Sequence, residues 1–337
     1  MNLLLTGCSG FIGLNFLDYL LKNTQNDFKQ IFSIDKLGYA TKYNKQKYFE
    51  LCNDNKIINI DQNINDISGN INLNKDKFII LNFASESHVD NSIENPFGVF
   101  NENVKIPESC IRIVGGINFI ERFIQISTDE IYSEISYDDI KNPDKWFKVD
   151  TPIHPNNPYS ASKAAQDCIL MSLKHTYGLN VQFIRMANQM PGKYQYPEKM
   201  LPASIVRVLN GEPVKIYGEG KNIRQWTPVD ITVKVIYDIL YNKIDEVKNN
   251  EVIHIANRNG IRNNNEIIEI LKGVMKEFGY KIDKEYITDR KGHDTAYALD
   301  TLPIIDKYFE NCDIERTMRE CVEYFINNKN IFGNIIK

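Results

Sequence analysis

No two of the six cysteines (Cys8, Cys52, Cys110, Cys168, Cys312 and Cys321) form a CxxC pair, and their spacing follows no repeat. Neither a zinc site nor a disulfide framework is therefore indicated, no metal is expected, and a reducing cytoplasm is the expected compartment. Long apolar runs are also missing: no stretch reaches the ~18 residues of a membrane span, and the opening MNLLLTGCSG lacks the basic region and apolar length of a secretory signal. A basic excess is absent too. With 40 Lys and Arg against 44 Asp and Glu, the net charge of −4 offers no bulk attraction to nucleic acid or an anionic membrane. Any polyanionic ligand must be met by a local site.

What is present is ordinary globular composition, 42% hydrophobic and 25% charged over 337 residues, enough for one large or two medium domains. The first half alternates strand and helix patterns: NLLLTG, FIGLNFLDYLLKN, QIFSID, FIILNFA, a helix near NENVKIPESCIRIV, FIQIST, a long helix over 160–176 and the strand VQFIRMA. That alternation predicts a doubly wound α/β fold with a parallel sheet. After Asn188 the texture changes, with Pro191, Pro197, Pro202 and Pro213 among shorter elements. Residues 1–187 are expected to form a Rossmann-type cofactor domain, with return segments from about 224–257, and 188–337 mainly a smaller α/β substrate domain. The polar stretch DKLGYATKYNKQKYFEL reads as a solvated face or loop.

Three motifs carry chemistry. TGCSGFIG sets Gly7, Gly10 and Gly13 between a strand and a helix, where backbone can approach a pyrophosphate at the helix N-terminus. Asp35 ends the next strand, placed to accept from the adenosine ribose hydroxyls and to repel a 2′-phosphate, which favours NAD over NADP; Lys36 beside it works against that preference. YSASKAAQD puts Tyr159 and Lys163 one helical turn apart, and a nearby ammonium is expected to lower the phenol's pKa and ready it for proton exchange with a sugar or alcohol hydroxyl. STDEIY ends a strand with Asp129 beside Glu130, where like charges repel and strand propensity is poor. Such a pair suits a reaction that needs an acid and a base a few ångströms apart, since a like charge and partial burial both raise a carboxyl pKa.

Together TGCSGFIG, Asp35, STDEIY and YSASKAA resemble the nucleotide-sugar 4,6-dehydratases, within the extended short-chain dehydrogenases; FASESHVDNSI, YQYPEKMLP, YGEGKNIRQW and RKGHDTAYALD continue the resemblance in order through nearly the whole chain. It implies oxidation of dTDP- or UDP-glucose at C4, loss of water across C5 and C6, and return of hydride to C6. The implied catalytic residues are Thr128 at the substrate oxygen, Asp129 as acid, Glu130 as base, and Tyr159 with Lys163. NAD would meet Gly7, Gly10, Phe11, Ile12, Gly13, Asp35, Lys36, Asn63, Ile64, Ala84, Ser87, Tyr159 and Lys163. The sugar nucleotide would meet Ser87, His88, Asn188, Glu198, Lys199, Arg224, Asn257, Arg290 and His293, with Arg224 on the diphosphate because a guanidinium fork binds two oxygens. A homodimer is also implied, through the helix of Tyr159, with Ala161, Ala165, Cys168 and Ile169 as the facing side chains.

The chain departs from the family pattern in places. NQMPG stands for NNYGP, Thr295 and Ala296 for two arginines, Gln225 for an aspartate, Gly38 for a threonine and Asn63 for an aspartate. None of these is one of the reacting groups. Two other enzyme readings share the C4 oxidation, an NAD-dependent 4-epimerase and an N-acetylhexosamine 4,6-dehydratase. The third, a non-catalytic NAD-binding sensor, is disfavoured by the presence of both Tyr159 and Lys163.

Overall fold

The computed structural model describes residues 1–23 and 27–332. In chain order the elements are β1 (Asn2–Thr6), α1 (Phe11–Lys22), β2 (Ile31–Ile34), α2 (Lys45–Cys52), β3 (Ile57–Ile60), β4 (Phe78–Asn82), α3 (Val89–Glu94), α4 (Pro96–Ile113), β5 (Ile120–Thr128), α5 (Pro158–Tyr177) and β6 (Val181–Met186). The second half holds α6 (Met200–Leu209), β7 (Val214–Tyr217), β8 (Ile223–Gln225), α7 (Val229–Leu240), β9 (Val252–Ile255), β10 (Ile261–Asn263), α8 (Asn264–Glu277), β11 (Lys284–Ile287), α9 (Pro303–Phe309), α10 (Ile314–Asn327) and α11 (Lys329–Phe332).

Seven strands form one parallel sheet in the order β3-β2-β1-β4-β5-β6-β9. β1 and β4 are buried along their whole length, as continuous apolar strands covered on both faces must be. The strand order reverses between β1 and β4, and in open α/β sheets the crevice at that switch is where ligands bind. Gly7, Asp35, Ala84 and Thr128 all lie at or just past the carboxyl ends of their strands.

Two strands lie outside the five that periodicity predicts. β3 is an edge strand of four residues with only Ile57 buried, too short and too wet to alternate clearly. β9 comes from the distant 224–257 stretch and pairs with β6, while α7 packs on α1. The segment DKLGYATKYNKQKYFEL is also not a plain solvated loop. It contains α2, whose Tyr48 is fully buried and bonded to Ser33 Oγ at 2.8 Å, and its Gly38–Thr41 stretch borders the crevice.

Beyond the sheet, Leu201, Ile205 and Val208 of α6, Val214 and Ile216 of β7, Ile267 and Leu271 of α8 and Met318 and Val322 of α10 bury a separate core. Small two-stranded pairings, β8 with β10 and β7 with β11, brace this lobe. Its α6 and β7 form the wall opposite the sheet's carboxyl edge.

Candidate active site

A cleft of about 760 Å³ runs between the two lobes, within the ~300–1,000 Å³ usual for ligand pockets. At its sheet end the β1–α1 turn is folded tightly on itself. Gly7 has φ +69°, and a Cβ there would lie 2.7 Å from Ala84 N; a Cβ on Gly13 would lie 2.2 Å from Gly7 O. α1 starts at Gly10 with no side-chain cap, so its first N–H groups remain available at the cleft, as binding of a pyrophosphate requires. Asp35 is buried and raised above its usual range by that burial, with backbone N–H groups of Ser9 (2.9 Å) and Leu37 (2.8 Å) opposing the rise. These features fit a dinucleotide.

Lys36, whose charge also opposes the rise of Asp35, is not free to meet a 2′-phosphate. Its ammonium bonds Glu86 and, at 3.1 Å, Glu102, and Glu102 also accepts from Asn63 Nδ2 at 2.7 Å. Glu86 in FASESHVD and Glu102 in NENVK were not anticipated as part of this corner. Only their register on two elements that converge on β2 would have revealed it. Phe11, Ile12, Ile64 and Ala84 line the same end of the cleft.

At the far end of β5 the chain breaks into a short 3₁₀ turn, Asp129–Tyr132, in which Thr128 Oγ1 accepts from Glu130 N at 3.3 Å and donates to Asp129 Oδ1 at 3.2 Å. The turn sends the two acids to different places. Glu130 lines the cleft, with Asn157 Nδ2 at 3.4 Å, while Asp129 is 2% exposed, lies behind Thr128 and leaves Oδ2 without a partner. Burial first, then the Glu130 charge, push Asp129 up to about 7. The acid therefore does not border the cleft itself, contrary to expectation.

α5 is anchored by a capping box, Asn157 with Ser160, by Pro158 in its first turn, and by Gly178 in the left-handed conformation at its end. This anchoring presents Tyr159 and Lys163 to the cleft below Thr128. Here the expected electrostatics are reversed. Burial, with Glu130 and Asp129 adding to it, pushes the Tyr159 phenol upward, and burial lowers Lys163 to about 8. The ammonium bonds Ile126 O of β5 (2.7 Å) and Gln166 Oε1 of α5 (2.8 Å), so two of its three N–H groups are held between sheet and helix.

Ser87 and His88, in the loop after β4, and Asn188, Glu198, Lys199, Arg224, Arg290 and His293 all line the cleft. Lys199 is held to Ser87 O at 2.6 Å, joining the lobes. Asn188 Oδ1 and Arg290 Nε are buried and unpartnered, and Arg290 Nη1 stands 3.9 Å from Asp90. Burial and the neighbouring Arg290 lower His293 to about 4, with its Nδ1 against Asp289 at 2.6 Å. Arg224 is more constrained than a plain diphosphate arginine: it donates to the carbonyls of Ile223 (2.8 Å) and Asp294 (3.1 Å), and lies 4.5 Å over the Tyr297 ring. Tyr297 also lines the cleft, although nothing in GHDTAYALD marks it as a site residue. Asn257 does not line it; its side chain is used up at the start of the 258–260 turn, accepting from Asn259 N at 3.1 Å and donating to Trp226 O at 3.3 Å.

The family model for GDP-mannose 4,6 dehydratase matches residues 4–318. The chain belongs to that family. It is 33% identical to the low-salt glycan biosynthesis protein Agl12 of Haloferax volcanii, over 97% of this chain and 99% of that one. It is 30% identical to dTDP-glucose 4,6-dehydratase of Escherichia coli, over 99% and 95%. The structure of DesIV, a dTDP-glucose 4,6-dehydratase from Streptomyces venezuelae with NAD and TYD bound, superposes with a TM-score of 0.79 at 26% identity, covering 98% of each chain.

Proposed function

We propose that this protein is an NAD-dependent NDP-glucose 4,6-dehydratase. The observation that carries the reading is the strand-end pair: a buried acid pushed up to about 7 and bonded by Thr128, beside a second carboxylate that lines the cleft, with the charges of both acting on Tyr159. Water can leave C5 and C6 only after C4 is a ketone, because the ketone stabilises the carbanion at C5. The chemistry that bound NAD supplies is hydride acceptance from C4 and hydride return at C6. Tyr159 takes the proton of the C4 hydroxyl as the phenolate, a form that burial and the two acids disfavour and that the positive charge of bound NAD would favour, and Thr128 orients that oxygen. Glu130 takes the C5 proton and later restores it. Asp129, neutral below about pH 7, gives its proton to the departing C6 hydroxyl across a short reorientation from behind Thr128.

In this reading Gly7, Gly10, Gly13 and Asp35 hold the dinucleotide, and Lys199, Arg224 and Arg290 face the diphosphate. The division at residue 188 then separates a cofactor lobe from a sugar-nucleotide lobe, with β9 and α7 returning to the first. A cytoplasmic homodimer through α4 and α5 is part of the proposal. Support for the dimer comes from Ala161, Ala165, Cys168 and Ile169, none of them buried within the chain, and from Phe97 on the adjoining helix, 80% exposed.

The test is incubation of the purified protein with dTDP-glucose, UDP-glucose or UDP-N-acetylglucosamine, without added reductant, followed by mass spectrometry. Loss of water from a glucose nucleotide supports the reading, whereas an unchanged mass with an inverted C4 points to an epimerase. The carboxylate pair favours dehydration, since inversion at C4 calls for no acid at C6.

A further inference from the structure

We propose that Gln166 is a positioning residue for Lys163, fixing its ammonium so that a single N–H is left for the cleft. The proposal rests on the reading of Lys163 as the partner of Tyr159 at the reacting sugar. Gln166 lies one turn beyond Lys163 on α5 and is completely buried. Its Oε1 accepts from Lys163 Nζ at 2.8 Å and from Gln125 Nε2 at 3.0 Å, and its Nε2 donates to Asn103 O at 2.6 Å. Ile126 O takes a second Lys163 N–H at 2.7 Å.

The direction of this network is forced. An ammonium only donates, so Gln166 must turn its oxygen toward Lys163 and its nitrogen toward α4. Gln125 must then offer its nitrogen, and its oxygen accepts from Asn82 Nδ2 at 2.8 Å. Asn82 Oδ1 in turn accepts from the Thr6 hydroxyl and from Ala84 N at 3.2 Å. A row of side chains from β1, β4, β5 and α5, each 3% exposed or less, therefore ties Lys163 to the glycine turn at the other end of the cofactor site. Each amide in the row has one allowed orientation, and a buried network of this kind holds position only while every member is satisfied. The charged group facing Lys163 is Asp167 on the same helix, paired with Arg185 of β6 at 3.2 Å and bonded by the Ser127 hydroxyl of β5 at 3.1 Å; β5 presents Ile126 O to the ammonium, and α4 presents Asn103 O to Gln166. Gln166 is thus the neutral acceptor that holds the second N–H of the ammonium, and without it that N–H would be left unpaired in a buried site, which disfavours the charged form.

The test is NMR titration of Lys163 in full-length protein carrying ¹³C-lysine, assigned with Lys163→Arg and run without sugar nucleotide. Gln166→Met keeps the length and loses both polar atoms; it should lower the Lys163 midpoint below that of the wild type and reduce kcat by roughly tenfold or more with KM held within about twofold. Gln166→Glu returns an acceptor and adds a charge, so it should raise the midpoint. Gln125→Met, which leaves Gln166 in place without its neighbour, should shift the midpoint in the same direction as Gln166→Met and decides the matter should that variant fail to fold. A midpoint unchanged in these variants, or moved the same way by Gln166→Met and Gln166→Glu, overturns the proposal. Because the midpoint is read on resting protein, that result is distinct from failure of the wild type to release water from a sugar nucleotide.

Discussion

Asp129 and Glu130 are neighbours in sequence that face different surroundings: Glu130 borders the cleft, while Asp129 is 2% exposed behind Thr128. The separation has a thermodynamic consequence. Because burial and the Glu130 charge raise Asp129 from 3.8 to about 7, its ionised form costs the fold roughly 4 kcal/mol. Between those two values the folded protein keeps a proton that the unfolded chain has lost, so this contribution favours folding at low pH and disappears as pH rises through about 7. Asp129→Asn abolishes the titration. Relative to wild type it should gain roughly 3 kcal/mol of stability between about pH 5 and pH 8, while turnover falls by about 10² or more. Urea unfolding at the two pH values checks the first part; an unchanged stability difference would show that Asp129 titrates normally.

Glu130→Gln separates binding from chemistry. The amide keeps the size of the side chain and its contact with Asn157, so NAD and NDP-glucose should still bind. Proton removal at C5 should fall by about 10²–10⁴. Incubation in D₂O reads this directly, because the wild type places deuterium at C5 of the product. Deuterium at C5 at the wild-type rate in Glu130→Gln would mean that another group is the base.

Much of this site is legible in the sequence because its parts are local. TGCSGFIG, STDEIY and YSASKAA each form one turn at one element end, and periodicity alone places those ends at the carboxyl edge of a parallel sheet. What is not legible depends on register between distant elements. Nothing in NENVK indicates that Glu102 of α4 meets Lys36 after β2, nor that Gln166 meets Gln125. The same limit applies to the charges. A Tyr-x-x-x-Lys spacing implies an ammonium acting on a phenol, but the spacing does not show that Ile126 O and Gln166 take up the ammonium, nor that burial with two acids dominates the phenol. Asn257 is misjudged for a related reason, since a polar residue after a strand can cap a turn as readily as it can meet a ligand.

The glycine turn makes a sharp steric prediction. A methyl on Gly13 would sit 2.2 Å from Gly7 O, a backbone atom that cannot swing aside, so either α1 or the turn must move. Gly13→Ala should weaken NAD binding by roughly tenfold or more, measured by titration of intrinsic fluorescence, since loss of even 1.4 kcal/mol gives that factor. The separate core around Ile205, Leu271 and Val322 should be untouched, and slow amide exchange there should persist. An NAD affinity equal to that of the wild type would show that the turn does not hold the dinucleotide.

Cofactor choice depends on how the Lys36 charge is used. A lone lysine next to Asp35 would welcome a 2′-phosphate, but Lys36 already bonds both Glu86 and Glu102, which leaves an excess of negative charge at this corner. Replacing both glutamates with glutamine would free the ammonium while keeping the side-chain volumes. Glu86→Gln with Glu102→Gln should therefore raise NADP affinity by roughly tenfold or more and change NAD affinity by less, because only the phosphate gains a new charged partner. Calorimetric titration with each dinucleotide reads the ratio. If NADP binding stays as weak as in the wild type, Asp35 alone excludes the phosphate, and adding Asp35→Asn to the pair should then be what admits it.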